Sequence, residues 1–353
     1  MSIIPVEVPT GAIRYNTDSN KMECFDGTKW MQVAVSSPDL NGGARGFHNG
    51  GRKTPGYNYS DQIDAYNIST AGSIFDFGDM TSAATGSFEC GAFSSHTRGC
   101  AFGGKGPGSH INSIEYITMS SSGNSADFGD LTSDNPTQPS GFSNRTRGVR
   151  CGGIKAAASP STSFGVNVMD YVTIASTGNA VDYGDMSNGA SGGQLSSSPT
   201  RGLIMGGMNP HNLSSGAAGL STNVIQYATI ATTGNTQEFG DCVTITKMGT
   251  QGGNATRTIR AGNNYPAINN TIQYITIATT GNAEEFGDLS VGRVASGAGA
   301  SPIRVVITGG YSTNYDSTMD YIAIQTQGNA VDFGNLSTSN GYNDGFSNAH
   351  GGL

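Results

Sequence analysis

The stretch IQYITIATTGNAEEFGDL, which begins at Ile272, decides the fold because the chain repeats it. In each copy a Tyr lies in an alternating apolar run, a Thr-Gly-Asn type of turn follows, and an aromatic residue then precedes Gly-Asp or Gly-Asn. The other copies begin at Ile114, Tyr171, Ile225 and Tyr321, with a looser one at Ala65. We align the tyrosines as Tyr66, Tyr116, Tyr171, Tyr227, Tyr274 and Tyr321, a mean period of about 51 residues. Repeats of about 50 residues built from short strands are typical of a β-propeller, so the sequence predicts an all-β fold with six blades.

Each unit carries a second signal upstream of its Tyr. An Arg-Gly segment leads to a diglycine, as in TRGVRCGG ending at Gly153 and TRGLIMGG ending at Gly207. A unit therefore reads as four short strands. Strand 1 ends in a Ser/Asn turn, strand 2 carries the Arg and ends in the diglycine, strand 3 carries the Tyr, and strand 4 carries the aromatic residue. Strand 3 is apolar on both sides, which indicates a sheet covered on both faces.

This order of signals resembles the kelch motif over roughly residues 41–353. The diglycine and the Tyr match that motif. The usual Trp of the fourth strand is replaced by Phe77, Phe128, Tyr183, Phe239, Phe286 and Phe333. The resemblance implies kelch-like blades.

The two ends of the repeat region predict how the ring closes. The first strand-2 signal, ARGFHNGG, begins at Ala44 without a clear strand 1 before it. Near the C-terminus, Phe346-Ser347-Asn348 aligns with Phe142-Ser143-Asn144, which reads as a strand 1 without a strand 2 after it. We therefore expect the propeller to occupy residues 44–353, with the C-terminal strand completing the blade that begins at Ala44.

Composition and net charge exclude some classes of binding partner. The chain has 353 residues, 12% of them charged, and a formal net charge of −8, which argues against a nucleic-acid partner and an anionic membrane surface. No stretch approaches 18 apolar residues, and no secretory signal is expected, so membrane insertion is not predicted. Five cysteines without a CxxC pair predict free thiols and no zinc site.

Charged residues also repeat with the unit. An Arg occupies one slot in all six copies: Arg45, Arg98, Arg147, Arg201, Arg257 and Arg304. An acid precedes the strand-4 aromatic residue in every copy: Asp76, Asp127, Asp182, Glu238, Glu285 and Asp332. A chemical site needs one special constellation rather than six equal copies. We therefore interpret the arginines as scaffold residues in ladder ion pairs and turn caps.

Calcium at the Asp-Phe-Gly-Asp turns is the alternative for the repeated acids, although no known calcium loop is present. No GxSxG, HExxH or phosphate-loop motif occurs. The sequence thus predicts no catalytic residue, no metal and no cofactor.

The loops on one face of the predicted disc vary from unit to unit. The loops between strands 2 and 3 and between one unit and the next differ in length and content, whereas the other turns are short and uniform. Variable loops on a uniform scaffold indicate a binding face, and Tyr, Asn, Ser and His suit polar or carbohydrate surfaces. The candidate binding residues are Tyr57, Tyr59, His110, Phe164, Asn209, His211, Tyr265, Tyr311 and Tyr315. The alternative is that the variation in these loops is merely tolerated by the fold and that the loops bind nothing.

Residues 1–36 do not fit the repeat, and residues 37–43 read as a linker. VPTGAIRYNTDSNKMECFDGTKWMQV predicts strands over 12–15, 21–25 and 29–33. So small a β-hairpin module cannot bury a core alone, so we expect it to dock on something else, with Trp30 as a natural anchor.

This segment resembles a short module common in bacteriophage virion proteins, especially fibres and other appendages. The matching residues are Gly11, Ile13, Arg14, Tyr15, Asn16, Thr17, Phe25, Asp26, Gly27 and Trp30. The repeats with DFGDL are similar to those of marine and cyanobacterial phage structural proteins. The resemblance implies that Arg14, Tyr15, Phe25 and Trp30 anchor the chain to capsid, tail or baseplate proteins.

The function implied is that of a structural virion protein, such as a tail fibre, assembled in the bacterial cytoplasm and oligomeric in the particle. The propeller would attach to a host surface glycan or envelope protein. One alternative is a head-decoration or baseplate protein that binds only other virion proteins. Another is a glycan-active enzyme, for which the sequence singles out no carboxylate pair.

Overall fold

The computed structural model describes residues 8–17, 21–32, 44–56, 58–72, 74–81, 89–106, 111–132, 136–155, 164–187, 195–208 and 221–353. Contacts divide the chain into two units, Met1–Asn41 and Gly42–Leu353. The predicted linker, residues 37–43, lies outside the described residues. The regular secondary structure of the described ranges is entirely β, and no helix there is long and apolar enough to cross a membrane.

The first unit contains one antiparallel sheet of three strands, in the order β1-β2-β3. These are β1 (Ile13–Asn16), β2 (Lys21–Phe25) and β3 (Trp30–Gln32). All three agree with the predicted strands to within one residue.

The second unit contains the remaining 29 described strands. It begins with β4 (Arg45–Asn49), β5 (Arg52–Lys53), β6 (Asn58–Tyr59), β7 (Gln62–Asn67) and β8 (Phe75–Asp79). Then come β9 (Gly91–Ser94), β10 (Arg98–Phe102), β11 (Ser113–Thr118), β12 (Ala126–Asp130) and β13 (Pro136–Thr137). Next are β14 (Ser140–Ser143), β15 (Arg147–Cys151), β16 (Ile154–Lys155), β17 (Phe164–Gly165), β18 (Val168–Thr173) and β19 (Val181–Asp185). They are followed by β20 (Ser196–Ser197), β21 (Arg201–Met208), β22 (Ser221–Thr229) and β23 (Gln237–Thr246). Thereafter come β24 (Thr250–Gly253), β25 (Arg257–Asn264), β26 (Ile268–Thr276) and β27 (Glu284–Asp288). The last are β28 (Gly297–Ala300), β29 (Arg304–Thr308), β30 (Asp316–Ala323), β31 (Val331–Gly341) and β32 (Asp344–Ser347).

These strands form six main antiparallel sheets. We number them I–VI in the order in which the second strand of each sheet occurs in the sequence. Sheet I is β32-β4-β7-β8, sheet II is β9-β10-β11-β12, and sheet III is β14-β15-β18-β19. Sheet IV is β20-β21-β22-β23, sheet V is β24-β25-β26-β27, and sheet VI is β28-β29-β30-β31 extended by β5 and β6. A further small sheet contains β13, β16 and β17. This all-β arrangement is consistent with a propeller-like fold.

The hydrophobic core lies between neighbouring sheets. One buried cluster joins each successive pair, and a cluster around Tyr66 and Phe333 joins sheet VI back to sheet I. The first strands also contact one another in sequence: β32 with β9, β9 with β14, β14 with β20, β20 with β24, β24 with β28, and β28 with β32. Each sheet is therefore covered on both faces, which explains why strand 3 is apolar on both sides.

The Thr-Gly-Asn turn and the Phe-Gly-Asp strand bond to each other across neighbouring sheets. Gly178 of sheet III donates its N–H to the carbonyl of Phe128 in sheet II (2.7 Å). Asn179 Oδ1 accepts from the N–H of Asp130 (3.1 Å), and the N–H of Ala180 donates to the Asp130 carbonyl (2.8 Å). The same bonds start from Gly123, Gly234, Gly281 and Gly328. The motif that repeats in the sequence is thus a clamp between sheets.

The six scaffold arginines also act between sheets. Each donates to a carbonyl just after strand 3 of the next sheet, and Arg304 closes the series by donating to Ser69 of sheet I (2.8 Å). Five of them stack on the Tyr of their own sheet at 4.3–4.8 Å. The expected ladder ion pairs are therefore replaced, in the described residues, by bonds to carbonyl oxygens.

The strand register corrects one predicted alignment. Ala65 pairs with Phe47 and Phe75, which gives it the position that Tyr171 has in sheet III. Tyr66 lies one residue further along and points to the other side of the sheet. It is fully buried there, edge-on to Phe333 of sheet VI (5.9 Å). In the looser first copy, the Tyr therefore packs against sheet VI instead of occupying the slot of the other five tyrosines.

The pairing predicted for the C-terminal tail is present. β32 pairs with β4 from Asp344↔Asn49 to Ser347↔Gly46. Asn348 Oδ1 accepts from the Arg45 N–H at 2.8 Å, just as a turn Asn does in sheet III. Two segments that are distant in sequence thus reproduce the contacts of the strand 1–strand 2 turn that the other sheets make locally.

Candidate functional site

Strand direction places the variable loops on one side of the second unit. Because the strands of each sheet are antiparallel, the 1–2 and 3–4 turns share one side, which we call the turn face. The loops between strands 2 and 3 and between one sheet and the next share the other side, which we call the loop face. The first strands of the six sheets line a small central cavity, which we call the channel.

Three tyrosines from two segments meet on the loop face. Tyr311 lies 5.7 Å from Tyr315 and 6.0 Å from Tyr342 between ring centroids, and Tyr315 lies 6.2 Å from Tyr342. Tyr315 is buried, whereas the other two are half-buried. The group therefore combines a fixed aromatic base with accessible ring surface.

The β5–β6 hairpin, which lies between β4 and β7 in sequence, extends this group. β5 pairs with β31, and β6 brings Tyr59 beneath the guanidinium of Arg52 at 5.2 Å. Burial acts to lower the pKa of Arg52, but hydrogen bonds to Tyr59 and Tyr315 outweigh it and raise that pKa. Arg52 is therefore a permanent cation held among tyrosine hydroxyls. We call Arg52, Tyr59, Tyr311, Tyr315 and Tyr342 the tyrosine cluster.

The mouth of the channel beside this cluster has an unusual backbone. Glu89, Gln138, Met248, Ala295 and Tyr342 each lie two residues before a first strand and have φ between 52° and 57°. They bond in series: Gln138 N–H to Glu89 C=O, Glu89 N–H to Tyr342 C=O, Tyr342 N–H to Ala295 C=O, and Ala295 N–H to Met248 C=O, at 2.8–2.9 Å. Residues other than glycine rarely adopt this left-handed backbone conformation, and such backbone strain concentrates at functional sites.

Glu89 supplies a carboxylate at this mouth. Burial raises the pKa of Glu89, while a hydrogen bond from Gln138 Nε2 (2.9 Å) and the charges of Arg52 and Lys105 act in the opposite direction. Burial also raises the pKa of Tyr342, and Glu89 adds to that effect through its charge. The site therefore offers a cation, an acid, an amide and aromatic rings, a combination suited to a polar ligand with an apolar side, such as a sugar.

The channel itself is too small for such a ligand. The cavity between the first strands has a volume of about 30 Å³ and is lined by serine and phenylalanine side chains and by His350. At the turn face the C-terminal tail closes it: Gly351 N–H donates to Gly253 C=O (3.0 Å), and His350 Nε2 lies 3.3 Å from Ser143 Oγ. A ligand larger than a few waters could not enter this cavity.

The structure brings together some of the residues predicted for the binding face. Tyr59, Tyr311 and Tyr315 meet in the tyrosine cluster. Tyr265 lies on the turn between β25 and β26. Phe164 lies in β17, but its side chain is outside the description. Tyr57, His110, Asn209 and His211 lie outside the described residues.

Sequence reasoning missed Arg52, Glu89, Gln138 and Tyr342. Three of these stand two residues before a first strand, so aligning that position across the repeats would have shown a variable set of side chains at one structural place. Arg52 carries no signal of its own, because its role depends on the pairing of β5 with sheet VI.

The residues predicted as the virion anchor fall on two faces of the small sheet. Arg14 stacks on Trp30 at 4.2 Å, Trp30 packs against Phe25 at 5.3 Å, and Arg14 pairs with Glu23 at 2.8 Å. Strand register places Tyr15 on the opposite face. The apolar residues exposed there, besides Tyr15, are Ile13, Met22 and Met31.

In the part of the chain that the structure describes, no group of three or more His, Cys, Asp and Glu side chains could hold a metal ion. At the Asp-Phe-Gly-Asp turns, the side-chain amide of the neighbouring sheet's Asn already caps the backbone. The five cysteines are free, and all but Cys24 are buried.

Comparison with known proteins supports the fold. No family model and no curated protein matches the chain. The chain is similar to the solved structure of YjhT, with a TM-score of 0.60 at 10% sequence identity. The similarity covers 74% of this chain and 87% of that one. A likeness at this identity shows a shared fold, so function has to be argued from the site.

Proposed function

We propose that the chain is a structural protein of a bacteriophage virion that presents a six-bladed, kelch-like propeller to the host surface. Sheets I–VI are the blades, and the contacts of β32 with both β9 and β28 support a closed ring. The virion assignment rests on the resemblance of residues 11–30 to the attachment module of phage appendages.

The N-terminal unit is the anchor in this proposal. Its face bearing Ile13, Tyr15, Met22 and Met31 is apolar, and 43–64% of each of these side chains is exposed. A three-stranded sheet this short, with one apolar face exposed, buries too little surface to be stable alone. Arg14, Phe25 and Trp30 contact one another on the opposite face, so they hold the module together, and Tyr15 with its apolar neighbours contacts the particle.

The tyrosine cluster carries the binding part of the proposal. Its members come from segments more than 250 residues apart in sequence, yet they converge beside a strained channel mouth that holds Glu89. Ring faces can stack on the apolar side of a sugar, while Arg52 and Glu89 bond to its hydroxyls. We therefore assign host-surface attachment, to glycan in the first instance, to this cluster.

Binding of the full-length chain to an array of bacterial surface glycans and to host envelope fractions tests this assignment. We expect saturable binding that falls at least tenfold in Arg52→Gln and in Tyr311→Ser, because each removes a contact at the centre of the site. Thr177→Ala, an exposed change on the turn face, is the matched control and should bind as the wild type does.

A different set of results would favour the second candidate function. If the chain binds no glycan and no envelope fraction but binds capsid or tail protein tightly, the propeller is a decoration or baseplate element. Variants that stay folded yet retain full glycan binding would place the ligand elsewhere on the chain.

A further inference from the structure

Three buried arginines lie between the sheets, and two of them face a carboxylate. Arg150 of sheet III stands directly opposite Asp170, and its Nη2 lies 2.8 Å from Asp170 Oδ2. Arg293 lies 3.0 Å from Asp320. All four side chains are at most 1% exposed, so each buried positive charge is compensated by a buried negative one.

The third, Arg260 of sheet V, faces no acid. It is 2% exposed and occupies the position of Arg150, but the residue opposite it is Gln273. Gln273 carries no charge that could compensate Arg260, and its Oε1 accepts from the N–H of Val243 in sheet IV (2.9 Å). Among the described residues, Arg260 Nε and Nη2 have no hydrogen-bond partner.

The charge on Arg260 persists at neutral pH. Burial lowers the pKa of Arg260 to about 10, which still leaves the guanidinium protonated at pH 7. Cys242, which lies close by, does not compensate it, because burial raises the pKa of that thiol to about 11. An unpaired buried charge is strongly destabilising, so a counter-ion would bind favourably here.

We propose that Arg260 binds a halide-sized monovalent anion between sheets IV and V. In this site, Gln273 Nε2 donates an N–H to the anion from one side of Arg260. On the other side, Gln251 stands opposite Arg260 on β24, is 1% exposed, and has an unpartnered amide oxygen. An amide can turn to present its N–H groups, so Gln251 completes a set of donors. Because Arg260 and Gln251 are at most 2% exposed, the ligand proposed is a single small ion.

The chain offers matched variants for the test. Gln273→Asp copies the Arg150–Asp170 pair at the same register and supplies the negative charge within the protein. Arg260→Ile copies sheet IV, where Ile204 stands opposite Gln226, and removes the positive charge. Both changes reproduce pairs that the fold already accommodates.

Thermal unfolding of the full chain is measured in sodium chloride, in sodium bromide and, at equal ionic strength, in sodium gluconate, whose anion is too large for the site. We expect the wild-type midpoint to rise with halide by about 2 °C per tenfold concentration above the dissociation constant, and not with gluconate. Both variants should lose this halide-specific rise. In bromide-soaked crystals, anomalous scattering should show one ion in contact with the Arg260 guanidinium.

Two results would overturn the proposal. One is a wild-type midpoint that responds equally to halide and gluconate. The other is an ordered water, with no bromide signal, between Arg260 and Gln251.

Discussion

At the residue scale, the repeated motif consists of pieces that act on the neighbouring sheet. The strand-4 Gly is required because a Cβ on Gly129 would lie 2.5 Å from the carbonyl oxygen of Gly178 in the next sheet's turn. The Gly of Arg-Gly has a similar cause, since a Cβ on Gly148 would clash with the ring of Phe93 from the preceding sheet. The signals that seemed to describe one blade therefore describe the contact between two.

Replacing Gly129 with Ala should test this clamp. Gly129 has φ 147°, and Gly334, which holds the same slot in sheet VI, has φ 142°. Both substitutions should carry backbone strain of about 1–3 kcal/mol. Only Gly129→Ala adds a clash, costing about 1–3 kcal/mol more, because a Cβ on Gly334 would lie 3.3 Å from the nearest carbonyl oxygen. Urea unfolding of the two variants gives the difference, and equal losses of stability would contradict the clamp.

The residue scale also shows what the sequence could and could not predict. The six arginines were recognisable as scaffold because they repeat, but their partners are carbonyls, which carry no signal in a sequence. Tyr66 was aligned one residue out of register, because the first copy has Ala65 at the slot and a Tyr beside it. Arg52 and Glu89 could not be recognised, because their neighbours come from distant loops.

At the element scale, the junction between sheets VI and I differs from the other five. The clamp is loose there, as the distance at Gly334 shows, and other elements compensate. β31 runs to Gly341 and pairs with β5, and β32 pairs with β4. His48 lies buried between them, bonded to Asn340 Nδ2 at 3.0 Å and to Thr308 Oγ1 at 3.1 Å. The first and last parts of the second unit are thus joined by strand pairing.

Deleting residues 341–353 should abolish cooperative folding of the second unit. The deletion removes β32, leaves the edge of β4 unpaired and withdraws the contacts with β9 and β28. Deleting only residues 350–353 is the control. It keeps β32 but opens the turn-face end of the channel, so a folded protein with a modest loss of stability is expected. Near-UV circular dichroism during heating measures both, and a 341–353 deletion that melts like the full chain would refute ring closure.

The strand order and the closing strand were predictable because they follow from repetition and from the mismatch at the two ends. The β5–β6 hairpin and its pairing with sheet VI were not, since that contact occurs once and has no copy to compare with. The tyrosine cluster depends on this single pairing. Its members could therefore be named as loop residues, but they could not be placed together.

At the scale of the whole molecule, the two ends of the channel are built differently. The C-terminal tail occupies the turn-face end, and the series of strained residues narrows the loop-face end. The uniform turn face consists of interlocking turns, while the loop face carries the tyrosine cluster. We infer that the loop face makes contacts outside the chain and that the N-terminal unit makes those with the particle.

Density for this chain in a cryo-electron microscopy map of its virion tests this account most directly. The account predicts that Ile13, Tyr15, Met22 and Met31 contact a capsid, tail or baseplate protein, while Arg52, Tyr59 and Tyr311 face outward from the particle. A map in which the tyrosine cluster is buried against another virion protein, or a purified particle that lacks the chain, would contradict it.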